Sequence, residues 1–184
     1  MNFPLTKHHL ALVLASLCMI SVFAQAVKPA SNNSQTQLQK PVSLLVEGET
    51  LAKKPFQLSA LKGKVALVIF WSTDCPVCRD QMHELRDNVQ GWTDKPFELV
   101  LVSVDKKMSD VEDYYRLLSQ VVPSKLRFNQ MWAGSNTYKD SINAKQIPIK
   151  QLPATFLLDK TGKVVSVMYG RIPVQAWDDI ADLL

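Results

Sequence analysis

Few of the residues that usually advertise a function are present. Three cysteines in 184 residues are too few for a disulfide scaffold and one too many for simple pairing. Lys plus Arg exceeds Asp plus Glu by only 21 to 17, a formal charge of +4 with no basic run, so the footprint of a nucleic-acid partner is missing. Aromatics are 8% of the chain, and 47% hydrophobic with 21% charged residues excludes collagen-like, coiled-coil and disordered classes. What remains has the length of one ordinary domain, long enough to bury a core without metal or disulfide staples.

The first segment reads as an address. Residues Met1–Ala26 hold no acid and a single lysine, Lys7, beside His8 and His9. The apolar stretch Leu10–Phe23 follows, then Ala24-Gln25-Ala26, a small-x-small cleavage pattern. This predicts a secretory signal peptide over 1–26 and export to the periplasm, an oxidising compartment. The stretch is shorter than the roughly 20 residues of a membrane span. An uncleaved N-terminal anchor, which would tether the protein to the membrane, is the alternative. A lipoprotein signal would use Cys18, but bulky Leu17 precedes it. Cleavage after Ala26 discards Cys18 and leaves Cys75 and Cys78. Residues 27–40 are polar and rich in Ser, Asn and Gln, as in a disordered linker. One domain is expected over 41–184.

Within it, Val42–Val46 reads as a short strand and Glu47-Gly48-Glu49 as a turn. Val65–Trp71 is continuously apolar, as for a strand buried on both faces, and Phe97–Val104 reads the same way. Pro76–Val89 has helical spacing, with Met82, Leu85 and Val89 on one side. Asp110–Val121 reads as a helix whose apolar face is Val111, Tyr114, Tyr115, Leu117 and Leu118, stopped by Pro123. Ser124–Ile149 is ambiguous, with a strand near Leu126–Phe128 and a helix near Ser135–Ile142. Ala154–Leu158 and Lys163–Tyr169 are strands joined by Asp159-Lys160-Thr161-Gly162, a turn with Gly where positive φ is needed. Pro173 opens a last helix carrying Trp177, Ile180 and Leu183. The order predicts an α/β fold, a mixed central sheet flanked by helices on both faces.

The chemistry concentrates in Phe70–Arg79, FWSTDCPVCR. Pro76 suits the first helical position, which puts Cys75 at or near the N-cap. Unpaired backbone N–H groups and the positive helix end favour a thiolate there. Cys78 lies one turn further in, within reach of Cys75. A zinc site would need two more ligands, and His83 is the one histidine after the signal. A purely structural disulfide would close too short a loop to remove much unfolded-state entropy. Cu(I) binding by two thiolates is chemically reasonable. A redox-active pair fits the arrangement best.

FWSTDCPVC resembles the FWATWCPPC segment of TlpA/ResA-like exported thiol–disulfide oxidoreductases, which have a thioredoxin-like fold. LSALKGKVALVIFW, LVLVSVD and QLPATFLLDKTGKVV resemble successive blocks of the same family, so the likeness covers most of 41–184. It implies a thioredoxin-like fold with an inserted strand–helix unit. It also implies that Cys75 is the exposed nucleophile and Cys78 the resolving thiol. Pro153 takes the cis-proline position after Leu152, in a loop that offers backbone groups to a substrate. Pro76 and Val77 complete the substrate-facing set. No cofactor and no metal are implied. The implied partners are a disulfide-containing protein substrate and a membrane thiol–disulfide electron donor, and the known roles include cytochrome c maturation.

Departures from the pattern are specific. Asp74 stands where Trp is usual, putting a negative charge beside the sulfur. Gln81 stands where Glu is common, and Ile69 where thioredoxin keeps a buried acid. Asp80 and Glu84 are substitute proton carriers or simply solvated acids, and His83 replaces a proline. An oxidant or isomerase, and a non-enzymatic copper module, are the competing readings. A peroxidase would want Ser72 three residues before the reactive Cys, but also an upstream proline that Val65–Thr73 lacks.

Overall fold

The computed structural model describes residues 42–133, 149 and 151–184. The signal peptide expected over 1–26, the linker expected over 27–40 and the helix expected near Ser135–Ile142 lie outside the described residues. The elements are β1 (Val42–Ser43), β2 (Glu47–Glu49), β3 (Pro55–Gln57), β4 (Val65–Trp71), α1 (Pro76–Asp80), α2 (Met82–Gln90), β5 (Phe97–Ser103), α3 (Met108–Val121), β6 (Asn129–Trp132), β7 (Ala154–Leu158), β8 (Lys163–Tyr169) and α4 (Val174–Leu183), with 3₁₀ turns at Leu58–Leu61 and Ser124–Leu126.

Among the described residues, six strands form one mixed sheet in the order β1-β8-β7-β4-β5-β6. β4 is central. It runs parallel to β5 and antiparallel to β7, with Ile69 facing Leu101 on one side and Thr155 on the other. Its unbroken VALVIFW run follows from this position, because all seven side chains are buried. Val65, Leu67, Ile69 and Trp71 point to a cluster built with Met82, Leu85, Val111, Trp177 and Ile180 from the helices. Ala66, Val68 and Phe70 point the other way, to Leu44, Val46, Leu58 and Met131. A fully buried Val, Leu, Ile, Phe or Met side chain contributes about 1.5–3 kcal/mol.

The described helices thus pack on one face, and the opposite face is covered by the Leu44–Leu61 region, with β2 and β3 forming a hairpin. This corrects the turn expected at Glu47–Glu49, which is strand. The reversal comes later, where the Thr50 N–H donates to the Lys54 carbonyl at 2.9 Å and Lys53 takes φ +59°. Gly48 takes φ +148° in this hairpin, a backbone conformation that L side chains rarely adopt.

Other boundaries moved for identifiable reasons. The strand expected over Val42–Val46 pairs only at Val42 and Ser43, and Leu44 and Val46 serve as buried packing instead. The strand expected near Leu126–Phe128 begins at Asn129, because β6 takes its register from Val100–Ser103. The face of α3 is narrower than expected, with Val111 buried and Leu117 57% exposed. The helix expected over Pro76–Val89 divides at Gln81 (φ −78°, ψ −6°), whose N–H is shared between the Arg79 and Val77 carbonyls. Gln81 is buried, and its Oε1 accepts from the Ile172 N–H at 3.4 Å. Pro173 sits at the N-cap of α4 rather than inside it.

Candidate active site

β4 and β5 are parallel, so their C-terminal ends emerge together at one end of the sheet. The turn after Trp71 leads into Cys75, and the turn after Ser103 leads into Asp105. Cys75 is the N-cap of α1, with extended backbone (φ −86°, ψ 105°) and Pro76 just inside the helix. The Cys78 N–H donates to Cys75 Sγ at 3.2 Å. The two sulfurs are joined in a disulfide, with Cα atoms 5.2 Å apart.

The pair is asymmetric. Cys78 is wholly buried against the helix-side core, whereas Cys75 is half-buried at its edge. Pro76 and Val77, the two residues between the cysteines, are exposed, Val77 at 44%. When the bond is reduced, the Cys78 N–H is placed to hold a Cys75 thiolate.

The peptide bond between Leu152 and Pro153 is cis. The Gly170 N–H donates to the Pro153 carbonyl at 2.8 Å, tying this loop to the end of β8. Leu152 is half-buried, packs against the cluster that holds Trp71 and Cys78, and lines one cleft with Ser72, Thr73, Asp74 and Asp105. The two segments singled out from the sequence, Cys75–Cys78 and Leu152–Pro153, are therefore brought to the same end of the sheet.

The residues around them are occupied in ways the sequence did not reveal. The Ser72 hydroxyl donates to the Asp74 carboxylate, and the Thr73 hydroxyl donates to Asp105 Oδ1 at 2.6 Å. Asp80 and Glu84 both pair with Arg171, which follows β8; the Glu84 contact is 2.6 Å. This fastens α1 and α2 to that loop and takes both carboxylates away from solvent-only roles. His83 is exposed. Gln81 Nε2 is buried with no hydrogen-bond partner among the described residues. Tyr114 stacks edge-on against Trp71 at 5.0 Å; burial pushes its phenol pKa up, and Arg86 and Arg79 pull against that.

Asp105, Thr73, Arg79 and Arg171 were missed as site residues. One signal could have found Asp105: it directly follows a buried parallel strand, and sites in such sheets gather beyond the carboxyl ends of the strands. Nothing local marks Arg171.

A profile described as the AhpC/TSA family matches residues 39–167. The thiol-disulfide oxidoreductase ResA of Bacillus subtilis (strain 168) is 26% identical over 131 residues, 71% of this chain and 67% of that protein. ResA of Bacillus thuringiensis (strain Al Hakam) is 28% identical over 121 residues, 66% of this chain and 64% of that protein. The chain thus spans about two thirds of the length of these curated relatives. Among solved structures, a thiol:disulfide interchange protein of the thioredoxin family from Chlorobium tepidum TLS superposes with TM-score 0.63 at 25% identity, covering 78% of this chain and 95% of that one. StoA from Bacillus subtilis superposes with TM-score 0.58 at 18% identity, covering 76% and 98%. The thioredoxin-like fold and the likeness to ResA-like proteins read from the sequence are borne out.

Proposed function

The chain belongs to the AhpC/TSA family, and from that premise we propose that it is an exported thiol–disulfide oxidoreductase that reduces disulfides in protein substrates through Cys75 and Cys78. The observation that carries this reading is the asymmetry of the pair: Cys75 half-buried at a helix N-cap with an N–H on its sulfur, Cys78 wholly buried behind it. The first sulfur is open to a substrate and the second is sheltered until it is needed.

In the reducing direction the Cys75 thiolate attacks one sulfur of a substrate disulfide. A mixed disulfide forms and the other substrate sulfur leaves as a thiolate. Cys78, deprotonated, then attacks Cys75 Sγ. The Cys75–Cys78 disulfide closes and the second substrate sulfur leaves, so two electrons pass to the substrate. A membrane thiol–disulfide donor restores the dithiol. The Leu152–Pro153 loop, with Pro76 and Val77, forms the surface on which the substrate chain lies. Export and the periplasmic location rest on the Met1–Ala26 pattern, with an uncleaved membrane tether as the other form. Among the described residues, no helix is long and apolar enough to cross a membrane.

Insulin-reduction assays with cysteine variants test the reading. Cys75→Ala is expected to abolish turnover and Cys78→Ala to accumulate mixed disulfides; unchanged turnover in Cys75→Ala overturns the mechanism. Redox titration tests the direction. A potential near the thioredoxin end of the range, about −270 mV, supports a reductase, and one near the DsbA end, about −120 mV, makes the protein an oxidant.

A further inference from the structure

We propose that Asp105 is a positioning residue for the nucleophile: its carboxylate fixes the turn that precedes Cys75 and so sets the direction in which the sulfur is presented. The inference rests on the reading of Cys75 as the attacking thiol.

Asp105 is 6% exposed. Its Oδ1 accepts from the Thr73 N–H at 3.0 Å and the Thr73 hydroxyl at 2.6 Å, and its Oδ2 accepts from the Ser103 hydroxyl at 2.6 Å. The residue is itself anchored. Its N–H donates to Ser103 Oγ at 3.2 Å, and its carbonyl accepts from the Trp132 indole at 2.7 Å, so β5 and β6 both hold it. Thr73 is gripped from the other side as well, where Arg79 Nη1 donates to its carbonyl at 2.6 Å. The Cys75 N–H closes the turn onto the Ser72 carbonyl at 3.3 Å.

A buried carboxylate is costly unless its oxygens are hydrogen-bonded, so this acid persists because these donors are delivered to it. Their origin is what matters. A strand-end acid with a purely structural task could draw its donors from any neighbour. This one draws two of three from the residue two places before the nucleophile. Thiol–disulfide exchange needs the attacking sulfur aligned with the bond it breaks, and small misplacements of a reacting group cost large factors in rate. Holding Thr73 at its N–H, hydroxyl and carbonyl removes the freedom that would let Cys75 swing.

The test uses the full-length protein and four variants: Asp105→Asn, Thr73→Val, the two combined, and Asp159→Ala. The last removes a similarly bonded carboxylate from the other end of the sheet. Two quantities are measured, the rate of the reduced enzyme with a small aromatic disulfide and the redox equilibrium constant against glutathione. Asp105→Asn is expected to slow the reaction about tenfold and to shift the equilibrium constant severalfold. Thr73→Val should change both in the same direction, the double variant should be no worse than Asp105→Asn alone, and Asp159→Ala should leave both within twofold. Values within twofold of wild type for Asp105→Asn, multiplying effects in the double variant, or an equal loss in Asp159→Ala overturn the proposal. If Asp105→Asn does not fold, Thr73→Val decides alone, and a wild-type value there overturns it. An inactive wild type, or a Cys75→Ala variant that still turns over, instead removes the functional reading beneath it.

Discussion

Two aspartates close turns at opposite ends of the sheet, each collecting three donors. Asp159, after β7, takes the N–H and hydroxyl of Thr161 at 2.9 and 2.6 Å and the N–H of Lys163 at 3.1 Å, all within four residues of itself and at the surface. Asp105, after β5, takes the same two groups of Thr73, from a turn 32 residues upstream, and the buried Ser103 hydroxyl. Water can replace Asp159 as a partner for its donors. It cannot readily do so for the Ser103 hydroxyl, since Ser103 is wholly buried. The same chemistry therefore shapes a local turn in one place, and in the other fixes the position of one distant segment against another.

The largest expected effect comes from deleting the buried member. Asp105→Ala removes the acceptor of three donors, one of which, the Ser103 hydroxyl, is wholly buried, and hydrogen bonds to a charged group are each worth about 1.5–3 kcal/mol. Part of that is returned because a buried charge no longer has to be desolvated. Denaturant unfolding of the oxidised protein is expected to show a loss of about 2–4 kcal/mol, on the scale of a broken buried network. A loss below about 0.5 kcal/mol, the scale of an ordinary surface substitution, would mean that burial does not separate the two aspartates.

Asp159→Ala sharpens the contrast from the exposed side. Its loss should be about 0.5–1.5 kcal/mol, the net worth of a typical hydrogen bond once water competes. It should also depend on pH. Burial pushes the Asp159 carboxyl up, but bonds from the Thr161 hydroxyl and the Lys163 and Thr161 N–H groups, with the charge of Lys163, outweigh it and leave the pKa lowered. A carboxyl with a lower pKa folded than unfolded stabilises the fold fully above its unfolded value, about 3.9. That part of the wild-type advantage disappears as pH falls through the folded value. Parallel melts of wild type and variant at pH 7 and pH 3 check this; a gap that widens on acidification would contradict it.

The pair also explains what could be read beforehand. Asp159-Lys160-Thr161-Gly162 was legible because donor, acceptor and the positive-φ glycine (φ +84°) sit within four residues. β4 and β7 were legible because apolar runs bounded by turn residues are local signals too, and β8 because a mostly apolar stretch directly follows the Asp159–Gly162 turn. Cys75 and Cys78 were legible because a helix start and a three-residue spacing are all their geometry requires. Asp105 was not, because nothing near it in the chain says that Thr73 will supply its donors. The same holds for the division at Gln81, which coincides with a contact to Ile172 across 91 residues, and for β6, whose register is set by β5 rather than by its own polar sequence. Apolar periodicity reports burial, but it does not report which polar groups meet once burial has occurred.

A third set of carboxylates separates charge from burial. Asp80 and Glu84 reach Arg171 across 91 and 87 residues, further along the chain than the 32 residues between Thr73 and Asp105, yet the Arg171, Asp80 and Glu84 side chains are 45%, 65% and 28% exposed. If distance along the chain were what made the Asp105 contact strong, Arg171→Ala would cost as much as Asp105→Ala. Exposed ion pairs are instead worth about 0.2–1 kcal/mol, because water screens them and two long side chains lose freedom. The expected loss is therefore under about 1 kcal/mol, and it should shrink between 0.05 and 1 M salt as the screening length falls to roughly 3 Å. The Asp105 loss should hold across the same range. Unfolding curves for the two variants in low and high salt decide the matter. A salt-independent Arg171 loss of several kcal/mol would make the outer ion pairs, and not the buried carboxylate, the principal brace on the segment that carries the two cysteines.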